Sequence, residues 1–113
     1  MQWLIVARDG TDEEAPARRM AARAAHLANA AQLQASGHLL VGGALLDEEG
    51  GMIGSACVAQ FETRAELEEW LRTDPYVTGK VWQHIEVIPY RVAPHYDFPP
   101  CPEAETNRSR EER

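Results

Sequence analysis

The stretch His38-Leu-Leu-Val-Gly-Gly-Ala-Leu-Leu46, then Asp47-Glu-Glu-Gly-Gly51, then Met52-Ile-Gly-Ser-Ala-Cys-Val-Ala-Gln-Phe61 decides the fold. Two apolar, strand-like runs flank a short polar connection that contains glycine. That spacing reads as an antiparallel hairpin with a longer loop. The first run is apolar on both alternating faces. Gly42 and Gly43 within it leave room for a bulge or for the close approach of another group.

Working toward the N-terminus, Glu14 to Ser36 is rich in Ala, Arg, Leu and Gln, strong helix formers. Pro16 is tolerated only near a helix start, and Gly37 is a natural stop. Met20, Ala24, Leu27 and Ala31 recur at helical spacing and read as the buried stripe, with Leu33 toward one border. His26 is rotated ~100° from Leu27 and is expected at the edge of that face. Before the helix, Asp9-Gly10-Thr11-Asp12 is turn chemistry that can also cap it. Gln2 to Arg8 reads as a first strand, with Trp3, Ile5 and Ala7 on one face and Leu4 and Val6 on the other. Such a pattern suits burial on both sides.

Toward the C-terminus, Thr63-Arg-Ala-Glu66 fits a capping box, in which the Thr63 hydroxyl accepts from the Glu66 amide and the Glu66 side chain reaches back. Leu67, Trp70 and Leu71 then form one stripe of a second helix. Pro75 should end it at Asp74. A fourth strand runs from Lys80 to Arg91, with Val81, Gln83, Ile85 and Val87 alternating with Trp82, His84, Glu86 and Ile88. The order β-α-β-β-α-β is the ferredoxin-like α+β pattern, with both helices on one face of a four-stranded antiparallel sheet. It leaves a second apolar sheet face, for which the simplest cover is a symmetric homodimer, sheet against sheet. Residues 1–93 are read as the domain and 94–113 as a tail, Pro-rich and then charged. The tail's last ten or so residues are expected to be disordered. Its part from His95 to Pro102, with Tyr96 and Phe98, is a candidate to dock on this subunit or a partner.

The 113 residues suit one core rather than two. The net charge of −7 and the lack of a basic stripe argue against nucleic acid. Arg18, Arg19 and Arg23 cluster, but Asp9, Asp12, Glu13 and Glu14 share their region, so they read as a solvated helix face. No apolar run approaches the ~20 residues that span a bilayer. No signal-peptide pattern opens the chain, so the expected location is the cytoplasm, without a membrane partner. Cys57 lies in an apolar run and reads as a small hydrophobe, while Cys101 sits in the tail. A disulfide between them is poorly motivated in a reducing compartment.

Candidate chemistry centres on Arg23-Ala-Ala-His26-Leu. His26 can exchange a proton near neutral pH, and its Ala-rich surroundings offer no local partner. The fold order brings the end of the second helix, and with it Asp74, near the first helix. An Asp accepting from one imidazole nitrogen would fix the tautomer and leave the other nitrogen for a substrate. The competing readings are a structural histidine and a plain turn aspartate. His38 reads as an edge or solvent residue. His84 shares a face with Glu86 and is a candidate for lining a dimer-interface pocket, and His95 belongs to the tail. No pair of histidines has metal-ligand spacing, so neither a metal nor another cofactor is expected. There is no phosphate loop and no nucleophile elbow. Trp3 and Trp82 read as core or interface aromatics.

With Arg23-Ala-Ala-His26-Leu, Gly37-His-Leu-Leu-Val-Gly-Gly43, Gly54-Ser55, Asp74-Pro-Tyr-Val and Val87-Ile-Pro-Tyr in this order, the chain resembles the YciI-like (YCII-related) family from about residue 1 to 92. The resemblance implies a dimeric ferredoxin-like α/β barrel with a His and Asp acid–base pair, here His26 and Asp74. Arg23 and Ser55 match motif positions as candidate substrate-binding groups. A related branch acts as a dehydrochlorinase on chlorinated aromatic hydroquinones, so the resemblance implies proton transfer on a small aromatic or carbonyl compound. It does not account for the tail. The sequence therefore supports a small cofactor-free acid–base enzyme. The alternative is a non-catalytic dimeric module that binds a small ligand or a partner, with the pair as a structural hydrogen bond. A monooxygenase-type reaction is a third reading, by analogy of fold alone.

Overall fold

The computed structural model describes residues 1–104. Four strands, β1 (Gln2–Asp9), β2 (Leu39–Leu46), β3 (Met52–Gln60) and β4 (Trp82–Tyr90), form an antiparallel sheet in the order β2-β3-β1-β4. The long helix α1 (Ala15–Ala35) joins β1 to β2. Helices α2 (Arg64–Thr73) and α3 (Pro75–Thr78) join β3 to β4. This is the ferredoxin-like βαββαβ architecture, with one addition. Asp74-Pro-Tyr-Val is not a simple turn, because Asp74 ends α2 and its side chain caps the one-turn α3 through the Tyr76 amide. Pro75 suits that first helical position, where no amide hydrogen is needed.

Local chemistry sets the element ends. The Thr63–Glu66 capping box is present. At the end of α1, Gly37 has φ of 87° and donates its amide to Gln34 O, while the His38 amide donates to Leu33 O. That is a Schellman stop, whose left-handed residue favours glycine. The hairpin loop is held by Asp47 Oδ1, which accepts from the amides of Glu49 and Gly51. Gln60 Nε2 donates to both Gly37 O and Pro99 O at 2.8 Å, and the Ala104 amide donates to Glu62. The proximal tail thus docks on its own subunit, with Tyr96 and Phe98 left exposed. The expected disorder of the last residues lies outside the described residues.

Alternation and register put Trp3, Ile5 and Ala7 on the same sheet face as Ser55, Cys57 and Ala59. α2 packs Leu67 and Trp70 on that face with Trp3, Ile5, Ala59 and Phe61. A second cluster, Ala7, Tyr76, Val81 and Trp82, lies beside it. A register shift at Arg8/Asp9 pairs Asp9 with Trp82 directly after Arg8 with His84, so Gln83 is skipped. This bulge breaks the expected alternation of β4 and turns both Val81 and Trp82 inward. The opposite sheet face carries Leu4, Val6, Ala56 and Val58, with Val41 and Ile88 exposed at its margins.

The stripe expected on α1 is wrong. Met20 is 59% exposed and Leu27 47%, and Ala24 and Ala31 are exposed too. The inner face is Ala15, Arg19, Ala22, His26 and Leu33. On an alanine-rich helix several faces are apolar enough to be buried. The orientation follows instead from two polar side chains, Arg19 and His26, seven residues and thus about two turns apart, which find partners in the sheet and α3. His26 accordingly sits on the inner face and not at its edge. His38 also departs from expectation: it is partly buried and stacks on Phe61 at 4.6 Å. Among the described residues, no helix is long and apolar enough to cross a membrane.

Candidate functional site

Asp74 is fully buried. Its Oδ2 accepts from Trp70 Nε1 at 3.0 Å, and its Oδ1 accepts from the Tyr76 amide at 2.9 Å. His26 Nδ1 lies 2.8 Å from the same Oδ1. As a carboxylate, Asp74 can only accept, so Nδ1 carries the hydrogen and donates it. In the neutral ring the lone pair then resides on Nε2. That atom has no protein partner among the described residues, and the His26 side chain remains 15% exposed. The ring stacks on Tyr76, with centroids 3.7 Å apart and planes within 10°, and meets the edge of Trp82 at 5.5 Å. Burial, the main cause, holds the Tyr76 phenol above its ordinary range, so it stays neutral.

A second buried polar group lies beside the first, and the sequence reading missed its centre. Arg19 is 4% exposed and is not part of a solvated face. Its Nη1 reaches both Asp9 carboxylate oxygens at 3.0 Å, its Nη2 donates to Ser55 Oγ at 3.0 Å, and its Cζ lies 4.7 Å from the Tyr76 ring centroid. Trp82 Nε1 donates to the same Ser55 Oγ at 3.1 Å. Gly54 explains why Ser55 can be placed there. A Cβ at Gly54 would collide with the Ala7 carbonyl, so only glycine lets β3 approach β1 this closely. Of the neighbouring arginines, Arg18 pairs at the surface with Asp12, whose carboxyl it holds down at about 2. Arg23 is exposed and lines the cavity, making no hydrogen bond with His26 or Asp74.

These groups line a cavity of about 480 Å³ between α1 and the β2–β3 hairpin. Its polar end is formed by His26, Ser55 and Arg19. The rest of its lining is mostly apolar, Leu27, Leu40 and Cys57 among it, with Gln34 as a further polar side chain. Burial pushes the Cys57 thiol up to about 12, so it is a neutral wall atom and no nucleophile. Among the described residues, no three His, Cys, Asp or Glu side chains gather as metal ligands would. The volume lies within the range of small-molecule sites and is ample for a substituted ring.

The Arg19–Asp9 pair is a buried ion pair, with both side chains 5% exposed. Removing one partner leaves the other charge uncompensated. Arg19→Met is therefore expected to destabilise the fold by about 3–5 kcal/mol. Asp9→Asn alone should also destabilise it, and the double variant should lose clearly less than the sum. Urea midpoints of the four proteins measure this, and strict additivity would show that the two side chains do not act as a pair.

The comparisons agree with this architecture. The YCII-related domain matches residues 1–91. An uncharacterized protein of Haemophilus influenzae is 40% identical over 80 residues, which is 66% of this chain and 82% of that one. The protein YciI of Escherichia coli O6:H1 is 33% identical over 97 residues, 80% of this chain and 97% of its own. Among solved structures, 5-chloro-2-hydroxyhydroquinone dehydrochlorinase (TftG) of Burkholderia phenoliruptrix AC1100, in complex with 2,5-dihydroxybenzoquinone, superposes with a TM-score of 0.72 at 25% identity. The match covers 86% of this chain and all of that one. By sequence, and with a fold to match, this chain belongs to the YCII-related domain family.

Proposed function

We propose that this protein is a small acid–base enzyme that moves a proton on an oxygenated, ring-sized compound using its own side chains. One observation carries the reading: an imidazole held by a buried carboxylate that accepts three hydrogen bonds, on a residue that lines a cavity large enough for a substituted ring. His26 Nε2 takes a proton from a C–H or O–H of the substrate. The imidazolium that forms is stabilised by Asp74, and it returns the proton to another atom or to a leaving group. Asp74 acts through His26 as a positioning residue. The likeness to a dehydrochlorinase bound to a dihydroxybenzoquinone supports an aromatic or quinonoid substrate. Arg23, exposed and among the residues that line the cavity, would draw in a substrate of negative charge.

A second reading has its own support. Asp74 also caps α3 and holds the Trp70 indole, so the His26 hydrogen bond has a structural use in a module that binds without reacting. Chloride release from 5-chloro-2-hydroxyhydroquinone separates the two. The enzyme reading expects turnover, and expects His26→Gln to reduce kcat/KM by about 10²–10⁴-fold with the fold intact. Binding of chlorinated and hydroxylated rings without turnover of any of them would leave the module reading.

The working unit we propose is a homodimer joined through the open sheet face, where Leu4, Val6 and Val58 form an apolar centre. The cytoplasm remains the proposed location, and two unpaired cysteines suit its reducing conditions. Val6→Lys places a charge at the middle of the face. Light scattering should show twice the chain mass for the wild type and one chain mass for the variant. A wild type that is monomeric at micromolar concentration would refute the dimer.

A further inference from the structure

The polar end of the cavity holds a hydroxyl whose orientation its neighbours dictate. Ser55 Oγ is 3.1 Å from Trp82 Nε1 and 3.0 Å from Arg19 Nη2. Indole and guanidinium nitrogens only donate. The serine oxygen therefore accepts from both, and both of its lone pairs are engaged. One direction is left, and it belongs to the hydroxyl hydrogen. No carbonyl or carboxylate among the described residues receives that hydrogen, although Ser55 is only 8% exposed. Arg19 Nε is a second buried donor without a partner. Folded proteins leave few buried donors unpaired, and two adjoining one cavity call for an acceptor that the chain itself does not supply.

We propose that Ser55 is a dedicated hydrogen-bond donor to a bare oxygen of the cavity's ligand, a carbonyl or phenolate oxygen, with Arg19 and Trp82 as the residues that position it. The assignment rests on the acid–base reading for the class of ligand, a small oxygenated ring. It adds which atom of that ring faces Ser55. Accepting from a cation and from an indole polarises the hydroxyl and strengthens it as a donor. The same engagement makes it a poor nucleophile. It also makes Ser55 selective. A ligand N–H or O–H at this point finds no lone pair and is left unpaired in a buried place, which costs affinity. His26 Nε2 offers the opposite valence, a lone pair that accepts. The cavity thus sets the His26 lone pair beside the donors of Ser55 and Arg19, complementary to a ring that carries an acidic hydrogen and a bare oxygen. Asp9 holds Arg19 through Nη1 and Arg19 Nη2 in turn holds the Ser55 oxygen, so Asp9, which does not line the cavity, acts on the donor without touching the ligand.

Calorimetric titration of the full chain with two rings of similar size tests this. 2,5-Dihydroxybenzoquinone presents bare oxygens, and 1,4-diaminobenzene presents N–H donors. The wild type should prefer the quinone by at least about tenfold, and Ser55→Ala should weaken quinone binding by about tenfold while leaving the diamine unchanged. The Trp82 indole resonance in a ¹H–¹⁵N spectrum reports whether the variant keeps its fold. If Ser55→Ala does not fold, the wild-type preference decides alone. Equal affinity of the wild type for both rings, or undiminished quinone binding by folded Ser55→Ala, would assign the hydrogen to a resident water and overturn the proposal. Turnover is read separately. Ser55-dependent binding without proton transfer would retire the acid–base reading and leave this one standing.

Discussion

The structure depends on one buried carboxylate. Asp74 closes α2, starts α3, accepts from the Trp70 indole and the Tyr76 amide, and holds His26 of α1. A charge at zero exposure is tolerable only when every lone-pair direction of consequence meets a donor. Here three donors from three helices meet it. The constraint works in both directions. It fixes where α1 lies over the sheet, and it fixes the tautomer of the His26 imidazole at the cavity.

Arg19 repeats the arrangement with the opposite charge. It is held by Asp9 from β1, donates to Ser55 on β3, and lies over the ring of Tyr76. Arg19 and His26 share one face of α1 and both lie against Tyr76. The helix is otherwise almost featureless on that side. Its position is set by two polar anchors and not by a hydrophobic seam, which is why a cavity survives between its second half and the hairpin. A tightly interlocked apolar seam would have filled that space.

Most of the fold was legible in the sequence. Alternation in β1, the hairpin around Asp47–Gly51, the capping box at Thr63 and the glycine stop at Gly37 are local signals, and the structure follows them. The inner face of α1 was not legible from hydropathy, because alanine is compatible with either environment and Met20 and Leu27 point the wrong way. A different signal was present: Arg19 and His26 are seven residues apart, with Ala15 and Ala22 on the same face, and a small-residue stripe carrying two polar groups marks a helix that packs through hydrogen bonds. The proximity of His26 and Asp74 could be argued from element order. Arg19 could not, because its partners Asp9 and Ser55 come from two strands whose register no local pattern specifies. Trp82 was read as a core or interface aromatic, but the bulge at Gln83 that turns it inward together with Val81 is one a period-two reading does not anticipate.

The proposed chemistry requires His26 to be held by Asp74 through Nδ1–H, with Nε2 bare toward the cavity. The ¹⁵N shifts of the His26 ring, recorded by long-range ¹H–¹⁵N correlation in the neutral form, test this directly. The expected result is a protonated, pyrrole-like Nδ1 and an unprotonated, pyridine-like Nε2, and a loss of that bias in Asp74→Asn. A ring protonated on Nε2, or a tautomer indifferent to Asp74, would contradict it.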